Sequence, residues 1–153
     1  MKYSVLMSVY NKEKAEFFKL SLESMFNQTY PPDVVVLICD GPLTEELDEV
    51  ISFYKAIYPE VLRIHRFEKN MGTGFAANTG LKLCRNELIA KMDSDDISYP
   101  DRCEKQIKLF EKHEKLDMVG GYVSEFEGEK TNEKAITPII LQDRTRSTLF
   151  PSS

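Results

Sequence analysis

The sequence predicts an α/β domain whose mostly parallel sheet is flanked by helices on both faces. Two observations carry that expectation. Short apolar runs alternate regularly with segments of helical period. The polar residues suited to chemistry sit just after those runs, where open parallel sheets collect ligands. A length of 153 residues suits one domain with a substantial core.

Residues 3–9 are apolar and β-rich, as expected of a strand buried on both faces. Ala15, Phe18, Leu22, Met25 and Phe26 follow helical spacing over 15–27, and Tyr30-Pro31-Pro32 stops that helix. Residues 34–38 are the plainest strand, punctuated by Asp40-Gly41-Pro42. Thr44 is placed to cap the next helix, with Glu45 and Glu46 complementing its dipole. Leu47, Val50, Ile51, Tyr54 and Ile57 form its expected buried stripe. Residues 61–67 read as a third strand and 70–73 as a loop. Phe75, Ala77, Leu81 and Cys84 predict a third helix after that loop. A fourth strand over 88–92 runs directly into Asp93-Ser94-Asp95-Asp96. A helix over about 101–113, with Cys103, Ile107 and Phe110 on one face, precedes a fifth strand over 118–123. Beyond it, 125–134 is polar, 138–141 is a candidate small strand, and 143–153 reads as a loose tail.

Composition narrows the function classes. Hydrophobic residues at 42% and charged residues at 29% are ordinary for a globular chain. A formal net charge of −5 argues against nucleic acid as a partner. Cys39, Cys84 and Cys103 are an odd, scattered set without a Cys-x-x-Cys pair, as in a cytosolic protein with reduced thiols. No apolar run reaches the length of a membrane span and no signal peptide is visible, while peripheral membrane association stays open.

Ser8, Tyr10 and Asn11 follow the first strand, Asp40 the second, Asn70 the third, and Asp93 to Asp96 the fourth. In a parallel sheet all four groups open on one edge. Crowded carboxylates are costly, and a hard divalent cation removes that cost. Mg²⁺ or Mn²⁺ takes one or two protein carboxylates and completes its shell with substrate phosphate oxygens and water. On the residues alone, a solvated acidic turn before the helix near Asp101 remains an equal reading. A calcium loop starting at Asp93 fails, because Ile97 holds a ligand position, Ser98 replaces the turn glycine and Pro100 intrudes.

The motifs Val5 to Asn11, Gln28-Thr29-Tyr30, Asp40-Gly41, Asn70-Met71-Gly72 with Asn78-Thr79-Gly80, and Met92 to Asp96 with Pro100-Asp101-Arg102 stand in characteristic order. In order and spacing they resemble the family 2 glycosyltransferases, over residues 3 to about 124. The resemblance implies a GT-A fold, Rossmann-like, with a nucleotide-sugar-binding core over 1–124. Residues 125–153 are then the start of an acceptor region or a tail. It implies that Ser8 and Tyr10 line the base and ribose, with Tyr10 offering a stacking face. Asp40 is implied to accept a hydrogen bond from the imide of a uracil-like base, and Glu13 to stand near the nucleotide. Asn70, Gly72 and Asn78 belong to the segment beside the donor. Asp95 is implied as the metal ligand, with Asp93 contacting ribose or a donor hydroxyl or joining the metal, Ser94 between them and Asp96 in support. Arg102 is expected to balance the acidic turn rather than reach the diphosphate.

The resemblance further implies an enzyme that transfers sugar from a UDP-sugar, with inversion, to a saccharide or lipid-linked acceptor in cell-surface polysaccharide assembly. The cofactor is Mn²⁺ or Mg²⁺, and the location is the cytoplasm at the inner face of a membrane. Two departures qualify it. Cys39 stands where many relatives carry a first acidic residue, and reads as a buried strand position. No carboxylate late in the sequence matches the family's general base, so the chain is expected to be a fragment with that base beyond its end. A nucleotide-sugar-binding module without transferase activity is therefore the alternative. A nucleotidyltransferase is disfavoured, since Tyr10 to Lys14 contains no glycine to cradle a triphosphate.

Overall fold

A computed structural model describes residues 1–121, 123–126, 133–136 and 141–143. The chain forms two compact units, Met1–Cys103 and Glu104–Ser153. In the first, β1 (Tyr3–Val9), β2 (Val34–Cys39), β3 (Leu62–Arg66) and β4 (Leu88–Asp93) build an all-parallel sheet in the order β3-β2-β1-β4. The crossovers are α1 (Ala15–Phe26), α2 (Glu45–Ile57) and α3 (Thr73–Leu83). The order runs outward from β1 to β3 and then returns to the far side of β1. Right-handed crossovers consequently place α1 and α2 on one face and α3 on the other.

Burial follows from that layering. All six residues of β2, Val-Val-Val-Leu-Ile-Cys, are buried, as a strand covered on both faces requires. Leu6, Val34, Val36, Ile38 and Ala76 form the core under α3, with Phe67, Cys84 and Ile89 packed against it. Strand alternation turns Val5, Met7, Val35 and Leu37 to the opposite face. Phe18, Leu22 and Met25 of α1 and Leu47, Ile51 and Tyr54 of α2 are the buried stripes of those helices. Thr44 caps α2 as expected, its hydroxyl accepting from the Leu47 amide at 3.3 Å.

Several boundaries and faces differ from the sequence reading. Ile57 is 51% exposed, so the α2 stripe ends at Tyr54. The buried face of α3 consists of Ala76 and Gly80, whereas Phe75 and Leu81 are 48% and 49% exposed. Small residues decide this face because α3 lies close to β1. A Cβ on Gly80 would fall 2.1 Å from Leu6 Cδ1 and 3.2 Å from Ile38 Cγ1. Periodicity of large apolar residues is the wrong signal for such a contact.

The helix α4 (Arg102–Lys112) ends one residue short of the expected His113, and the next strand, in the second unit, is β5 (Leu116–Val119), ahead of the expected 118–123. It pairs antiparallel with β8 (Leu141–Asp143) in a separate two-stranded sheet. The polar stretch 125–134 contributes to a second antiparallel pair, β6 (Ser124–Phe126) with β7 (Glu133–Ile136). Strands this short carry too few residues for a readable period. Residues 138–140 of the candidate small strand and 144–153 of the expected tail lie outside the described residues. Among the described residues no helix is long and apolar enough to cross a membrane.

Gly80→Val is expected to lower stability by about 1–3 kcal/mol through overpacking against Leu6. Gly74→Ala, which meets nothing within 4 Å, is expected to raise it by about 0.4–1 kcal/mol. Urea unfolding of the two variants beside the parent chain reads both signs.

Candidate functional site

The backbone ladder alone brings most of the candidate residues together. Parallel β1 to β4 end on one edge, followed there by the loops that begin at Tyr10, Asp40, Phe67 and Ser94. The sheet changes direction of growth between β1 and β4, the point at which such sheets open a crevice. Ser8 pairs in register with Asp93 across this boundary and with Ile38 on its other side. The Asp40 amide donates to the Val9 carbonyl at 2.8 Å, which seats the next loop beside Tyr10. Tyr10 is 42% exposed, so its ring offers a face to solvent.

The acidic turn is held from beneath by hydroxyls. Ser21 Oγ, fully buried on α1, donates to the Asp93 carbonyl at 2.7 Å. Ser94 Oγ donates to Glu13 Oε2 at 2.8 Å, and Glu13 Oε1 accepts the Lys14 amide at 3.0 Å. Glu13 therefore ties the loop after β1 to the acidic turn. Asp93 Oδ1 is paired with Lys91 Nζ at 2.5 Å. Asp95 and Asp96 are exposed. Burial, then the neighbouring Asp95 and Asp93 charges, push the Asp96 carboxyl above its ordinary range, with Arg102 and Lys91 opposing. The penalty of ionising Asp96 thus appears as pH rises through that raised range, and a bound cation would offset it. Arg102 itself donates to the Lys91 carbonyl at 3.0 Å, along the strand behind the turn.

Among the described residues no three His, Cys, Asp or Glu side chains already form a metal shell. Mg²⁺ and Mn²⁺ do not require one, since they take one or two protein carboxylates beside substrate oxygens. The all-oxygen donor set of Asp93, Asp95 and Asp96, with its mutual repulsion, fits such an ion.

Asp40 has a second task that its place in the sequence did not reveal. It is only 6% exposed. Its Oδ1 accepts the Met71 amide at 2.6 Å, its Oδ2 the Gly72 amide at 3.1 Å, and its carbonyl the Asn70 side-chain amide at 3.3 Å. One carboxylate thus fixes the segment 70–72, whose Gly72 caps α3 at φ 89°. Gly41 must be glycine for the same packing, having φ 93° and a would-be Cβ 2.8 Å from the Asn70 nitrogen. Two charge-assisted bonds leave lone pairs on the carboxylate for a third donor. Asn78 is exposed on the second turn of α3. Cys39 is fully buried and its thiol is pushed up to about 11 by that burial, so it is no nucleophile.

Sequence reasoning missed Ser21, Ser24 and the role of Gln28. Their spacing along one helix side was visible, but serine on a helix carries no message until its partner is known.

Asp40→Asn keeps the volume but sets an N–H₂ group against a backbone donor. A loss of about 1–3 kcal/mol is expected, with faster exchange of the Met71 and Gly72 amides. Denaturant unfolding and hydrogen exchange check the two parts.

Comparisons with known proteins bear on the family and the fold. The family model described as Glycosyl transferase family 2 matches residues 4–152. The Erwinia amylovora protein "Amylovoran biosynthesis glycosyltransferase AmsE" is 44% identical over 125 residues, covering 82% of this chain and 46% of that protein. An Escherichia coli protein, "UDP-Gal:alpha-D-GlcNAc-diphosphoundecaprenol beta-1,3-galactosyltransferase", is 38% identical over 128 residues, covering 82% of this chain and 45% of the relative. Among solved structures, S. aureus TarS 1–349 in complex with UDP-GlcNAc superposes with a TM-score of 0.66 at 26% identity, covering 78% of this chain and 33% of that one. The chain spans about half the length of the curated relatives it matches. It has the GT-A fold and belongs to glycosyl transferase family 2.

Proposed function

We propose that this chain forms the donor half of a glycosyltransferase that moves sugar from a nucleoside-diphosphate sugar to a saccharide or lipid-linked acceptor. The observation that carries the reading is the meeting of Tyr10, Asp40 and the acidic turn at the crevice between β1 and β4. UDP-sugar is the preferred donor. The TarS structure with UDP-GlcNAc and the E. coli relative named for UDP-Gal support that choice. The names of the relatives also favour cell-surface polysaccharide assembly, hence a place at the cytoplasmic face of a membrane.

In this reading Tyr10 stacks on the base and Ser8 lies beside the ribose. Asp40 accepts the base imide with a lone pair left over from Met71 and Gly72, and Asn70 and Asn78 flank the donor. Asp95 holds Mn²⁺ or Mg²⁺ with help from Asp93, which exchanges its Lys91 partner for the ion or a donor hydroxyl. Glu13 and Ser94 keep the acidic turn level with the loop after β1. A bound ion supplies positive charge that neutralises the departing diphosphate. Displacement in line at the anomeric carbon gives inversion. No residue of this chain is assigned to deprotonating the acceptor.

Calorimetric titration with UDP and GDP, each with and without Mn²⁺, tests the reading. UDP with Mn²⁺ is expected to bind tightest, and Asp95→Ala to weaken that binding at least about tenfold because so few protein carboxylates hold the ion. A preference for GDP would remove the Asp40 assignment, and metal-independent UDP binding the Asp95 assignment. A donor that binds but is neither hydrolysed nor transferred would favour a binding module.

A further inference from the structure

The acidic turn crowds three carboxylates into four residues, and its backbone is tied to a neighbouring helix. The hydrogen bonds identify the holder. Ser21, Ser24 and Gln28 follow one another at three- and four-residue spacing along α1 and its C-terminal extension, on one side of the helix. Ser21 is fully buried and Gln28 is 6% exposed, so their polar groups need protein partners. All three find them in the segment that carries the aspartates. Ser21 Oγ takes the Asp93 carbonyl at 2.7 Å. Ser24 Oγ accepts the Ser98 amide at 3.0 Å. Gln28 Nε2 lies 2.8 Å from the Tyr99 carbonyl and 3.2 Å from Ser98 Oγ, while its Oε1 accepts the Cys103 amide at 3.0 Å. The Thr29 amide adds a bond to the Pro100 carbonyl at 2.8 Å.

The anchors leave a short span between Asp93 and Ser98, and Asp95 and Asp96 are in it. Anchoring both ends fixes where these carboxylates stand without neutralising them. A cation that meets preset oxygens then loses less affinity to reorganisation.

We infer that Gln28, acting with Ser21 and Ser24, is a positioning residue that sets the acidic turn for cation binding. The inference rests on the donor-site reading above for its metal, but not for its mechanical part. Gln28 does not touch the donor. Its influence travels through the backbone of 98–103.

The test uses Gln28→Leu, which keeps much of the bulk and removes every polar contact, and Gln28→Glu, which keeps an acceptor for the Cys103 amide but offers no donor to Tyr99. Two readouts separate the possibilities. In the ligand-free protein, the Ser98 and Cys103 amides are expected to exchange on the order of tenfold faster in Gln28→Leu, while β1 and β2 amides keep their rates. In UDP titrations, the gain in affinity conferred by Mn²⁺ is expected to fall on the order of tenfold in both variants, as loss of supporting hydrogen bonds around metal ligands typically does. Affinity for UDP without metal is expected to stay unchanged. Equal loss with and without metal, or an unaltered Mn²⁺ dependence, overturns the inference. If the parent chain binds no UDP at all, the donor reading falls and the exchange rates alone decide whether Gln28 anchors the turn. Should Gln28→Leu fail to fold, Ser24→Ala, which removes the acceptor of the Ser98 amide together with the bond Ser24 Oγ donates to the Ser21 carbonyl, is expected to move the same readouts by about threefold. No movement there overturns the inference equally.

Discussion

Ser8 and Asp93 face each other across the parallel ladder between β1 and β4. That pairing sets the height of everything above it. It brings the end of β1 level with the start of the acidic turn, at the place where the sheet reverses its direction of growth. With β2 locked to β1 through Val9 and Cys39, Asp40 arrives at the same level. A slip of one residue in either ladder would turn Leu6, Val36 and Ile38 away from the small-residue face of α3, where Ala76 and Gly80 leave room for them. The core therefore fixes the register, and the register fixes the site.

Upon that base, charge is managed by backbone amides and hydroxyls more than by ion pairs. Asp40 is buried and answered by two amides of the segment 70–72. The acidic turn is held by serines and an amide of α1, and only Asp93 has a lysine on it. The second arrangement leaves the carboxylates charged and crowded: desolvation first, and the Asp95 and Asp93 charges after it, displace the Asp96 carboxyl upward. A turn held in shape but not neutralised suits a ligand that brings positive charge with it. Asp40, held in place by two backbone amides, suits a role in shaping the pocket wall as well as meeting a base.

The parts of this arrangement that strands dictate were legible in the sequence. Buried parallel strands announce themselves as apolar β-branched runs, so β1, β2 and the entry of β4 into Asp93 were readable, as was the single edge they imply. Motif order supplied the family. What escaped was contact information. The helix α3 was readable but its buried face was not, because Ala76 and Gly80 pack by being small, whereas Phe75 and Leu81 are conspicuous and exposed. The clamp of Asp40 on Met71 and Gly72 joins positions thirty-one and thirty-two residues apart, and no local pattern encodes such a pairing. The same holds for Gln28, whose partners lie some seventy residues on. In the second unit the strands are too short for alternation to stand out from loop composition.

The central claim is that the strand ends between β1 and β4 receive a nucleotide together with a divalent cation. Amide chemical shifts recorded as UDP is added in the presence of Mg²⁺ test it most directly. The account predicts that the largest changes fall on residues 8–13, 40–41, 70–72 and 93–96. It also predicts that the Asp33, Arg85 and Asn86 cluster, joined by hydrogen bonds at the opposite ends of the strands, stays still. Changes centred on that cluster, or shifts at the proposed site that are the same without Mg²⁺, would contradict it.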